Sequence, residues 1–174
     1  MIKGRGREKG FEFERHVSSL FDEWFDVPKK SFWRTVGSGG WVEPGDIAPR
    51  LHNDKLIKFP FVVECKFYKK FDLLEIFSSK NPLIKTWWDQ LTQAQNKSTI
   101  ERLGYLPIRL LVFKFNRSLT YVGFSKTDGS LKYRDMLKTI FDQTCIQISY
   151  QDVDLVIVPF SVYCKIIDVK QLRD

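Results

Sequence analysis

Phe59-Pro60-Phe61-Val62-Val63-Glu64-Cys65-Lys66 is an apolar run that ends by presenting a carboxylate and an amine. Side chains alternate along a strand, so Glu64 and Lys66 share one face and Cys65 points to the other. Acidic and basic side chains are rarely buried without partners, so a charged pair at the end of a core strand marks a candidate site. Asp46 lies 18 residues upstream in Pro44-Gly45-Asp46-Ile47, where a second strand begins. His52-Asn53-Asp54-Lys55 reads as a hairpin tip between the two, which would set Asp46 beside Glu64. Two adjacent carboxylates repel each other unless a cation neutralises them. Hard oxygen ligands select Mg2+, with Mn2+ as a substitute, and such an ion activates water against a phosphodiester. The alternative stays open that Asp46 is a turn residue and that Glu64 and Lys66 line an ordinary solvent face.

Outward from that strand, Phe13, Val17, Leu20, Phe21 and Trp24 recur every three or four residues and predict a helix over 8–24, ended by Pro28. Residues 1–7 read as a flexible basic arm. Residues 31–36 predict a short strand before the turn Gly37-Ser38-Gly39-Gly40. Asn81-Pro82 opens a helix over 83–103. Strands are predicted over 107–115, 121–124, 146–150 and 155–158, and a helix over 131–141. This is one α/β domain over 1–174: the arm, a core over 8–124 and a C-terminal α/β extension over 125–174.

The chain has 174 residues and a net charge of +7, which favours a polyanionic partner. Cys65, Cys145 and Cys164 are scattered and odd in number, so neither a disulfide framework nor a zinc site is expected. With no signal-like segment and no long apolar run, a soluble, cytoplasmic protein without a membrane partner is expected. Two histidines and a Gly loop without Lys argue against a histidine-based triad and a P-loop.

Asp46 with Glu64-Cys65-Lys66 resembles the PD-(D/E)xK nuclease pattern. The flanking stretches resemble the archaeal-type (Hjc-like) Holliday junction resolvases, which also occur in phages. Lys9-Gly10 followed by Glu14-Arg15 is similar to the KGxxxER signature of that family's first helix. Arg34-Thr35-Val36-Gly37-Ser38 resembles the Arg and Gly-Ser ahead of its aspartate, and Leu111-Val112-Phe113-Lys114-Phe115 a later strand. These stretches cover about 9–124 in the expected order.

The resemblance implies a restriction-endonuclease-like fold, a central mixed sheet flanked by helices. It implies Glu14, Asp46 and Glu64 as metal-side carboxylates and Lys66 as the catalytic lysine, with Ser38 in the catalytic loop. Arg34 would contact phosphate, and Lys9, Arg15, Lys69 and Lys70 extend the basic surface. Gln90 is a further candidate on the second helix. The expected activity is Mg2+-dependent resolution of four-way DNA junctions by a homodimer. Another duplex-cutting or branch-cutting nuclease of the superfamily, and a silent DNA-binding module, are the alternatives.

The chain departs from the pattern in three places. Gly45 stands where the pattern has Pro. The loop from Ser38 to Asp46 is long and contains Trp41 and Glu43, itself a candidate ligand. The tail beyond Phe124 has no counterpart in the resolvase core. Trp87-Trp88, adjacent on a helix, are expected either to split between core and partner or to pack together inward.

Overall fold

Phe13, Val17 and Phe21, four residues apart, are all buried and form the inward stripe of α1 (Arg5–Trp24). A computed structural model describes residues 5–35, 45–52, 55–69, 83–97, 106–141, 145–150 and 153–172. Helix α1 starts earlier than the sequence predicts. Arg5, Gly6 and Arg7 are helical rather than part of a flexible arm, and the Arg7 guanidinium lies 5.3 Å from the Phe11 ring one turn on.

After α1 the chain turns through Asp26 and Lys30, both with positive φ, into β1 (Phe32–Arg34). The buried Asp22 carboxylate secures this turn by accepting the Lys30 and Phe32 backbone N–H groups at 2.8 Å each. Strand β2 (Ile47–Pro49) pairs antiparallel with β1, and β3 (Leu51–His52) with β4 (Lys55–Leu56), a short hairpin where the sequence predicts one.

Among the described residues the main sheet has five strands. β5 (Phe61–Tyr68) runs parallel to β6 (Ile108–Phe115), with Glu64 opposite Leu111 and Lys66 opposite Phe113. Antiparallel β7 (Thr120–Ser125) follows. β9 (Val153–Pro159) then inserts between β7 and β8 (Ile146–Tyr150), giving the order β5-β6-β7-β9-β8. The segment after residue 125 therefore completes the same sheet as the motif strand.

Alternation divides the core in two. Phe61, Val63 and Cys65 of β5 face a cluster shared with α1, α3 (Leu131–Phe141) and α4 (Phe160–Ile166). Val62 faces the opposite cluster, covered by α2 (Leu83–Lys97). This is a mixed α/β sheet flanked by helices. The short helix α4 has no counterpart in the sequence reading. It is tied in by the buried Tyr133–Tyr163 hydroxyl pair at 2.7 Å and by Trp24 Nε1 donating to the Ile167 carbonyl at 3.0 Å.

Trp87 and Trp88 both pack inward. Trp87 meets Tyr68 and Phe113, while the Arg109 guanidinium covers the Trp88 ring at 4.6 Å. Two side chains about 100° apart on one helix can both be buried when an arginine stem closes over the outer one. Among the described residues, no helix is long and apolar enough to cross a membrane.

Candidate active site

Among the described residues β5 pairs with β6 on one side only, so the backbone groups of Val63 and Cys65 face an edge of the main sheet. Asp46 closes on that edge. Its backbone N–H donates to the Val63 carbonyl at 2.7 Å, and its Oδ2 accepts the Cys65 N–H at 2.7 Å. The expected β-hairpin between the Asp46 and Glu64 strands is therefore not what joins them, because β2 is committed to β1. A single backbone bond and one side-chain bond bring Asp46 in instead.

Gly45 makes the approach possible. It has φ +84°, and a Cβ there would lie 2.6 Å from the Val63 carbonyl oxygen and 3.0 Å from the Val63 nitrogen. Proline holds φ near −65°, so the residue that the PD pattern carries at this position cannot take this conformation. That accounts for the departure noted in the sequence. Thr35 completes the cradle: its Oγ1 donates to the Gly45 carbonyl at 2.6 Å and its N–H to the Asp46 carbonyl at 2.8 Å. Gly45→Ala is expected to cost at least ~2 kcal/mol of stability, from left-handed strain plus the clash with backbone. Denaturant unfolding measures it; a loss below ~0.5 kcal/mol would mean that the edge adapts.

Three carboxylates surround this point. Glu64 shares its face of β5 with Lys66, whose Nζ donates to Glu64 Oε1 at 2.6 Å. From α1, Glu14 reaches in and accepts from Arg34 Nε at 2.7 Å, while Glu12 two residues earlier is exposed. Burial, then the negative charge of Glu64 and of Glu14, pushes the Asp46 carboxyl from its ordinary 3.8 up to about 7, against the Cys65 hydrogen bond and Lys66. Asp46 Oδ1 has no hydrogen-bond partner among the described residues. The Cys65 thiol is raised well above its usual range by burial and by the same carboxylates. It stays protonated, as a packing residue between the charged pair.

An all-oxygen donor set, an unpartnered carboxylate oxygen and crowded negative charge suit a hard divalent cation. The ligands are not closed around such an ion, however. Among the described residues, no three His, Cys, Asp or Glu side chains are placed to hold a metal. Glu14 and Glu64 are turned onto Arg34 and Lys66.

The family described as "Phage putative PDDEXK endonuclease" matches residues 5–173. The chain belongs to that family. The match runs through the tail, so the strands after residue 125 are part of the family's chain as well as of this sheet. No curated protein and no solved structure matches.

Lys9, Arg15 and Lys69 are exposed, and Gln90 is exposed on α2 with no contact to the site among the described residues. The buried glutamine of that helix is Gln95, which donates to the Pro107 carbonyl at 2.6 Å. Ser38, Glu43 and Lys70 lie outside the described residues. Sequence reading missed Thr35 and Phe11 as supports of the site. Thr35 sits inside the Arg34–Ser38 stretch, which was a usable signal. Phe11 looked like any apolar position of α1.

Proposed function

We propose that this endonuclease is a Mg2+-dependent DNA nuclease whose substrate is the four-way junction. The observation that carries the reading is the crowding of negative charge on Asp46 at the edge of β5: burial and the Glu64 and Glu14 carboxylates push its carboxyl up to about 7, beside the Lys66–Glu64 pair. Glu14, Asp46 and Glu64 would hold the cation, with Mn2+ as a substitute. The bound ion supplies charge neutralisation at the scissile phosphate and a more acidic water. Lys66, whose Nζ donates to Glu64 Oε1, would follow charge building on the phosphate oxygens. Arg34 and the exposed Lys9, Arg15 and Lys69 would take backbone phosphates, giving recognition by shape rather than by base edges.

The junction, as distinct from duplex DNA, is supported by the order of KGxxxER, RTVGS, GD and ECK along the chain. A junction offers two symmetric strands, so a two-fold dimer is the assembly proposed to cut both. The test compares an immobile junction, a flap and linear duplex with Mg2+. Wild type is expected to cut the junction fastest, and Glu64→Gln to lower the rate at least ~100-fold. Equal cutting of duplex and junction would move the substrate to duplex DNA. If no DNA is cut and Glu64→Gln changes nothing, the nuclease reading fails.

A further inference from the structure

Arg34 engages its neighbours with only part of its guanidinium. Nε donates to Glu14 Oε2 at 2.7 Å, and the group lies on the Phe11 ring, 3.9 Å from its centroid. The two Nη groups have no hydrogen-bond partner among the described residues. The Arg34 and Glu14 side chains are 22% and 15% exposed, so water screens the pair only in part. Glu14 is also close enough to Asp46 to help raise its carboxyl, so one carboxylate serves two positions. The guanidinium occupies one of the two Glu14 oxygens, Oε2, and its positive charge repels an incoming cation, which together weaken Glu14 as a cation ligand. A DNA phosphate offers the same guanidinium two oxygens in fork geometry.

We infer that Arg34 is a positioning residue that exchanges between Glu14 and a DNA phosphate, so that the cation site closes only when DNA is seated. This rests on the reading of the protein as a metal-dependent DNA nuclease. Phe11 supports the guanidinium plane on both sides of the exchange, because stacking on a ring does not consume an N–H group. The Arg7 guanidinium, 5.3 Å from the centroid of the same ring, adds a second cation at Phe11. By linkage, DNA must strengthen cation binding by the factor with which the cation strengthens DNA binding.

The test reads metal occupancy rather than cleavage. Mn2+ binding is followed by the free-ion electron paramagnetic resonance signal at 4 °C. It is measured for protein alone and for protein saturated with junction DNA, with a DNA-only blank subtracted and the strands checked for integrity. For wild type, DNA is expected to tighten Mn2+ binding about tenfold. Arg34→Gln without DNA is expected to bind Mn2+ several-fold more tightly than wild type, since Glu14 is released, and saturating DNA then adds less than ~2-fold. Arg34→Lys keeps the charge on Glu14 but lacks the fork, so it should show the weak DNA-free affinity with little gain from DNA. Circular dichroism verifies folding; should Arg34→Gln not fold, the Arg34→Lys result decides alone. Unchanged DNA-free affinity in Arg34→Gln, or a full DNA-induced gain in either variant, overturns the exchange. Wild type that takes up no Mn2+ with or without DNA instead overturns the metal-dependent reading beneath it.

Discussion

Asp46→Asn is expected to abolish DNA cleavage, by ~1,000-fold or more, while making the protein more stable than wild type at pH 8 in the absence of metal. The two effects share one cause. Burial and the charges of Glu64 and Glu14 raise the Asp46 carboxyl to about 7, from an ordinary value of 3.8. The folded chain therefore holds this proton more tightly than the unfolded chain does. Between the two values the folded state binds more protons, so wild-type stability is highest below about pH 4 as far as this group is concerned. It falls as pH rises toward 7, and above that the full cost of the buried charge is present.

Each pKa unit is worth about 1.4 kcal/mol, and partial solvent access to Asp46 reduces the product, so a gap of ~2–3 kcal/mol at pH 8 is expected. Asparagine carries no charge and keeps an oxygen for the Cys65 N–H. Urea unfolding with a chelator at pH 5 and pH 8 should show the advantage of Asp46→Asn at pH 8 and most of it gone at pH 5. A gap that does not change with pH would mean that Asp46 is not charged against its neighbours. Added Mg2+ should recover only part of wild-type stability at pH 8 in the absence of DNA and leave the variant unmoved, since a ligand stabilises only the folded state that binds it.

The sequence made the charged strand end legible for a local reason. Alternation alone puts Glu64 and Lys66 on one face, and they meet at 2.6 Å. Periodicity likewise placed Phe13, Val17 and Phe21 on the buried stripe of α1, and the distance from that stripe to Glu14 is fixed by helix geometry. What could not be read depends on contacts between distant segments. Gly45 looked like a departure from a motif, and its reason is the backbone of Val63 pressing against it. Asp46 was expected across a hairpin because consecutive strands usually pair, whereas β2 chose β1 and left one hydrogen bond for β5. The insertion of β9 between β7 and β8 is a choice of strand order, to which alternation is blind. Trp88 is buried because Arg109, twenty-one residues later, folds over it.

That Arg109 contact carries the largest stability effect expected away from the site. Asp128 accepts three hydrogen bonds from Arg109: its Oδ2 takes the backbone N–H at 3.1 Å and Nε at 2.8 Å, and its Oδ1 takes Nη2 at 2.7 Å, while Arg109 Nη1 donates to Thr92 Oγ1 on α2 at 2.8 Å. The two side chains are 6% and 16% exposed, so removing one partner leaves a nearly dry charge behind. Asp128→Ala is expected to cost about 3–5 kcal/mol, which for a chain of this size lowers Tm by roughly 10 °C. Arg109 would be left unpaired, and the cover over Trp88 would loosen with it. Asp128→Asn combined with Arg109→Met should recover part of that loss, because Asn still accepts the backbone N–H and no buried charge remains. The pair sits where Arg109 lies opposite Val62, four positions before Lys66 along β5. Asp128→Ala that remains folded at 20 °C should accordingly cut DNA at the wild-type rate. Loss of cleavage without loss of fold would place Arg109 and Asp128 in the working site rather than beneath it.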